Sequence, residues 1–157
     1  MIEMAAIKTA LVSILETVPG VDTVNGYGWF PDLVGATVAI VIPPLRTESL
    51  YGFTQARGAG EIDFQSHRFY CEVWVRDTGD PQALDALMSG INSDAVSTLM
   101  SSKEFAVSGG TARLGWWDGD RWDYNIGFEV EDGWRRLVND GPQFLVAALV
   151  IPVSVNG

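Results

Sequence analysis

The first strong pattern along the chain is helical. Ile7, Leu11, Ile14, Leu15 and Val18 recur at three- and four-residue spacing within residues 2–18, which places them on one apolar stripe. Pro19-Gly20 ends that stretch, because proline cannot continue a helix and glycine takes the left-handed turn that closes one. Turn signals follow at Asn25-Gly26, Gly28 and Pro31-Asp32. The run ATVAIVI at 36–42 is rich in β-branched residues and predicts a buried strand, stopped by Pro43-Pro44. Residues 62–77 alternate, with Phe69, Cys71, Val73 and Val75 on one side and Tyr70, Glu72, Trp74 and Arg76 on the other. That period of two predicts a long, half-buried strand.

Asp80-Pro81 opens a second helix, the aspartate as N-cap and the proline at the first helical position. Leu84, Leu87, Met88 and Ile91 form its stripe; Gly90 and Asn92 weaken it, and Asp94 predicts a second helical piece carrying Val96, Leu99 and Met100. After Gly109-Gly110 the chain reads as β, with runs at 111–117, 122–130, 134–138 and 144–155. Asp118-Gly119 marks a hairpin between the first two of these. Residues 43–61 show no clean period and read as a long loop or irregular hairpin, the kind of segment that often carries function. The order α-β-β-α-β-β-β predicts a single α+β domain over residues 1–157, a mostly antiparallel sheet packed against two or three helices.

Composition changes this picture in one respect. The chain has 157 residues, enough for one domain that buries about 70% of its unfolded surface. Hydrophobic residues reach 47% and charged residues only 19%. That surplus of apolar and aromatic surface points to a subunit interface. The net charge of −10 opposes gripping DNA, whose phosphates require basic patches, and is compatible with letting DNA pass without adhesion. A single cysteine, Cys71, excludes an internal disulfide. The first residues lack the basic segment of a signal peptide. The longest apolar run, at 144–153, is too short to span a membrane, so no membrane role is expected.

Candidate chemistry centres on LGWWDGDRWDYNIGFEVEDGW at 114–134, which holds four of the six tryptophans. Asp118, Asp120 and Glu129 fit three positions of a calcium-binding EF-hand loop, but Trp122 and Asp123 stand where an oxygen ligand and a glycine are required. A sugar platform is weakened because Trp116 and Trp117 are adjacent and face opposite sides of a strand. The remaining reading is an aromatic hairpin at 114–130 that meets another protein, with Trp117 or Trp122 as anchor. Arg46 and Arg57, two cations in the 43–61 segment of an acidic chain, are the other expected contact residues, since arginine pairs bidentately with carboxylates across interfaces. His67, the sole histidine, reads as structural or surface, and Cys71 as a core thiol. No nucleophile-and-base spacing, metal-ligand spacing or phosphate-binding glycine motif is present. No catalytic residue, metal or cofactor is therefore expected, and the protein reads as a non-enzyme.

A family resemblance rests on several of these stretches in order. They are the helix ending in ETVPGV, the strand AIVIPP, the strand FYCEVWVRD, the helix opened by GDPQALDAL, and the end LVAALVIPVSV. In that order the chain resembles the tail terminator (tail-completion, or minor tail) proteins of long-tailed bacteriophages. The resemblance implies a structural virion protein that forms a homo-oligomeric ring, commonly hexameric, on the last ring of the tail tube. It implies that the ring stops tube polymerisation and joins the tail to the head through the neck. Partners would be the tube protein and the neck connector, with DNA passing through the channel unbound. Such a protein assembles in the host cytoplasm and ends in the tail or neck of the virion. A head–tail connector, and a carbohydrate- or ligand-binding module outside viruses, are the alternatives, with a small hydrolase whose site follows no recognised motif as a third class.

Overall fold

The computed structural model describes residues 2–26, 35–43, 47–52, 64–117, 122–123, 127–137 and 143–156. Helix α1 runs Met4–Leu15, and strands β1 Thr23–Asn25, β2 Val38–Val41, β3 Thr47–Gly52 and β4 Phe64–Arg76 follow. Helix α2 runs Pro81–Ser101. The remaining strands are β5 Glu104–Val107, β6 Gly110–Leu114, β7 Trp116–Trp117, β8 Trp122–Asp123, β9 Gly127–Leu137 and β10 Gln143–Asn156. The class is α+β: the described residues form two helices and a mixed sheet of eight strands, with β7 and β8 forming a separate two-stranded ribbon.

Two long neighbours carry the sheet. β4 pairs antiparallel with β10 from Phe64↔Asn156 to Arg76↔Phe144. On its other side β4 takes β3 along one half and β2 along the other. β10 likewise takes β9 at 143–150 and β6 at 153–154. β1 extends the sheet beyond β2, and β5 extends it beyond β6. The β1–β2 ladder is parallel and the other ladders of this sheet are antiparallel, so the sheet is mixed but mostly antiparallel, as expected in the main.

Alternation divides the sheet into two buried faces. Phe69, Cys71, Val73 and Val75 join Val38, Ile40, Leu149, Ile151 and Val153 in one cluster. Ile7, Leu11, Leu15 and Val18 from the α1 region and Leu84, Met88, Ile91, Ala95 and Leu99 from α2 complete it. The predicted stripe thus meets the predicted strand, with Ile14 packed at its margin. On the opposite face Ala39, Val41, Trp74, Phe144 and Val146 form a second buried cluster. Each fully buried side chain of this size is worth about 1.5–3 kcal/mol, so both faces matter to stability.

Several expectations are corrected. The element order has four strands before α2, not two, because β1 and β3 are short and lack an alternating signature. The 43–61 segment contains β3, held by six residue pairs to β4 from Thr47↔Phe69 to Gly52↔Phe64; residues 53–63 lie outside the described residues. The second helix does not break at Gly90-Asn92. It is continuous for 21 residues, because glycine in a helix interior costs only about 1 kcal/mol while five buried residues hold the helix down. Asp80 caps it, accepting from the backbone N–H groups of Gln82 and Ala83 at 3.1 and 3.3 Å. β5, unforeseen, is an edge strand with half-exposed residues and little apolar signal.

Candidate contact surface around the aromatic ribbon

The chain enters the tryptophan-rich region through a bend. Gly115 has φ of +125°, a conformation that side chains with a Cβ rarely adopt. Its N–H donates to the carbonyl of Pro152 at 2.8 Å, and its own carbonyl accepts from Ser154 Oγ at 2.6 Å. Ser154 Oγ in turn lies 2.7 Å from Ser66 Oγ on β4. This buried hydroxyl relay fixes the bend to both long strands and delivers Trp116 to the face opposite the helices.

There the Arg68 guanidinium lies over the Trp116 ring, 4.2 Å from its centroid. Arg68 also approaches Glu48 on β3 at 3.7 Å. Tyr70, two residues along β4, donates its hydroxyl to the same Glu48 carboxylate at 2.8 Å. Four side chains from three strands therefore interlock on a half-exposed surface. Trp, Tyr and Arg are the residue types that dominate binding energy at protein contacts, and here they hold one another in place. An arginine over an aromatic face adds roughly 0.5–1 kcal/mol at an exposed site.

Of the contact residues expected from sequence, Trp117 and Trp122 stand directly opposite each other in the β7–β8 ladder, with Trp116 opposite Asp123. The pairing is antiparallel, as a hairpin requires. Its register leaves four residues, 118–121, between the paired positions, whereas a two-residue Asp118-Gly119 turn would set Trp117 opposite Asp120; the connection itself lies outside the described residues. Arg46 and Arg57 also lie outside them. The sequence reading missed Glu48, Arg68, Tyr70 and Trp116 as a group. The alternation of β4 placed Arg68 and Tyr70 on one polar face, but nothing in the spacing tied them to residues 20 positions before or nearly 50 after.

A second constellation sits on the helix-side face of the same half of β4. His67 is fully buried. Ser49, its direct partner across the β3–β4 ladder, places Oγ 2.7 Å from His67 Nδ1. His67 Nε2 lies 3.0 Å from Gln65 Oε1. A carbonyl oxygen only accepts, so Nε2 carries the proton and Nδ1 accepts from the serine hydroxyl. Burial lowers the pKa of His67, because a charged imidazolium is disfavoured away from water.

Other polar features lie away from these two constellations. A cleft of about 510 Å³ at the end of α2 is lined by Met100, Ser101, Lys103, Glu104, Arg113 and Leu114. It is crossed by an ion pair between Arg113 Nη2 and Glu104 Oε1 at 2.7 Å. Lys8 of α1 is turned inward, and burial lowers its pKa while the thiol of Cys71 acts in the opposite sense. Among the described residues no group of three His, Cys, Asp or Glu side chains is placed to hold a metal ion. No helix among them is long and apolar enough to cross a membrane. No protein-family model matches the chain, and no curated protein matches it in sequence.

Proposed function

We propose that the protein is a ring-forming structural component of a long-tailed phage, a tail terminator that caps the tube and joins it to the neck. The observation that carries this reading furthest is the pre-formed Trp116–Arg68–Glu48–Tyr70 surface beside the β7–β8 ribbon. It is built of contact-type residues and has the firm backbone support that a permanent protein interface exploits. The sheet supports the reading as well. Its two ends, β1 and β5, lie on opposite sides of the path, an arrangement suited to head-to-tail contacts that close into a ring. The charge of −10 suits a channel that DNA crosses without sticking. This role requires no catalysis, metal or cofactor.

In this reading Trp117 or Trp122 anchors the ribbon on a neighbouring subunit or partner ring. Arg46 and Arg57 reach carboxylates across the same or an adjacent contact. Such a protein assembles in the host cytoplasm and remains in the tail or neck.

Negative-stain images and native mass spectra of the purified protein test the ring directly, with closed particles bearing a central hole expected. Trp117→Ala and Trp122→Ala are expected to weaken assembly by about 2 kcal/mol or more while the isolated chain keeps its circular dichroism. Monodisperse monomers at high concentration, together with stabilisation by an oligosaccharide, would replace this reading with the ligand-binding one. Rings that bind the neck or portal in preference to tail tubes would assign the protein to the head–tail connector instead.

A further inference from the structure

We propose that Ser49 is a base-activated nucleophile, paired with His67 and oriented through Gln65, that accepts an acyl group from small activated esters. Three observations meet here. Ser49 is an exposed residue while its partner imidazole is fully buried, so the pair sits at the border between solvent and core. The 2.7 Å Oγ–Nδ1 separation lies within the range for direct proton transfer. The Nε2–H donated to Gln65 Oε1 at 3.0 Å holds the ring in the one tautomer that can accept the serine proton.

The surroundings keep the base neutral. Across the sheet from His67 stand Ser49 on β3 and Val153 on β10. The Phe69 ring is 6.1 Å away on the same face. The charged neighbours Glu48 and Arg68 oppose each other on the other face of the sheet. Burial lowers the pKa of His67, which favours the neutral imidazole.

The step is a simple exchange. Ser49 Oγ forms a bond to the ester carbonyl carbon as its proton passes to His67 Nδ1. The carbon–oxygen bond to the leaving alcohol breaks, and that alcohol departs with the proton. Water then adds to the acyl-serine, giving the carboxylic acid and free serine. Ester and water are the only reactants, and acid and alcohol the only products. This activity is independent of the ring-forming role.

The test uses the full chain and p-nitrophenyl acetate, followed by nitrophenol release and peptide mass mapping. One acetyl group on Ser49 is expected. Ser49→Ala should abolish that adduct while circular dichroism shows the fold retained. His67→Asn should slow it by about 100-fold or more, the usual contribution of a positioned base. If His67→Asn fails to fold, the wild-type pH profile decides. Labelling should persist below the ordinary histidine pKa of 6.5 and fall only in stronger acid. Acetylation confined to lysines or the N-terminus, or Ser49 labelling that is unchanged by His67→Asn or that declines around 6.5, would overturn the proposal and leave the ring reading untouched.

Discussion

Single residues mark where this fold is least forgiving. Gly20, just after α1, has φ of +82°, and a Cβ there would meet Ile91 Cδ1 of α2 at 3.0 Å. Gly20→Ala is therefore expected to cost about 1–2 kcal/mol for the left-handed backbone alone, seen as a lower urea midpoint with an unchanged slope. Asp22 accepts from the N–H groups of Thr37 and Val38 at 2.8 and 2.9 Å. Those two bonds, that to Val38 foremost, lower its pKa below the ordinary 3.8. A depressed carboxylate stabilises the fold above its unfolded pKa and loses that contribution as pH falls through the folded value. Asp22→Asn should accordingly lower the melting temperature at pH 7, and the gap to wild type should close below pH 3.8. The proline-glycine stop made Gly20 legible in the sequence. Asp22 was not, because its partners lie 15 and 16 positions away, across a segment with only turn signals.

At the scale of elements, α2 shows how a local weakness is overruled. Gly90 sits on an exposed side of the helix, and nothing lies within 4 Å of where a Cβ would stand. Gly90→Ala should stabilise the protein by about 1 kcal/mol by restricting the unfolded chain and filling no occupied space. Asp80→Ala should remove about 1 kcal/mol in the other direction by stripping the cap. Both are read from denaturant midpoints. The long elements α1, α2, β4 and β10 were legible because each repeats its period over many residues, and the four-residue β2 because its run is β-branched and stopped by proline. β1, β3 and β5 were not, since three to six residues on a sheet margin carry too few apolar positions to declare a period. Their identity comes from the strands they meet. The contact surface shares that dependence. Trp116 is conspicuous in the sequence, but its seat on Arg68 exists only once Gly115 has turned the chain.

For the molecule as a whole, the two buried faces explain the high apolar content before any partner is invoked. Trp74 and Phe144 alone place two large rings on the side away from the helices, tilted at 58° with centroids 5.9 Å apart. Part of the surplus that suggested an interface is therefore spent within the chain. The tryptophans of the ribbon remain the segment from which assembly is expected. Replacing residues 55–60 by a short Gly-Ser turn should leave melting unchanged and reduce the ring fraction in native mass spectra, if the arginine-bearing segment reaches a neighbour as proposed.

The central pairing of β4 with β10 has a kinetic consequence. Ser66 and Ser154, in contact at the middle of the sheet, are separated by 88 positions in the chain. Closing so long a loop loses entropy before the pairing rewards it, and topologies dominated by such contacts fold slowly. During synthesis β4 would leave the ribosome well before the strand that must lie beside it, with a long edge open to other chains. Refolding should thus be slow and concentration-sensitive, with aggregation competing whenever β10 arrives late.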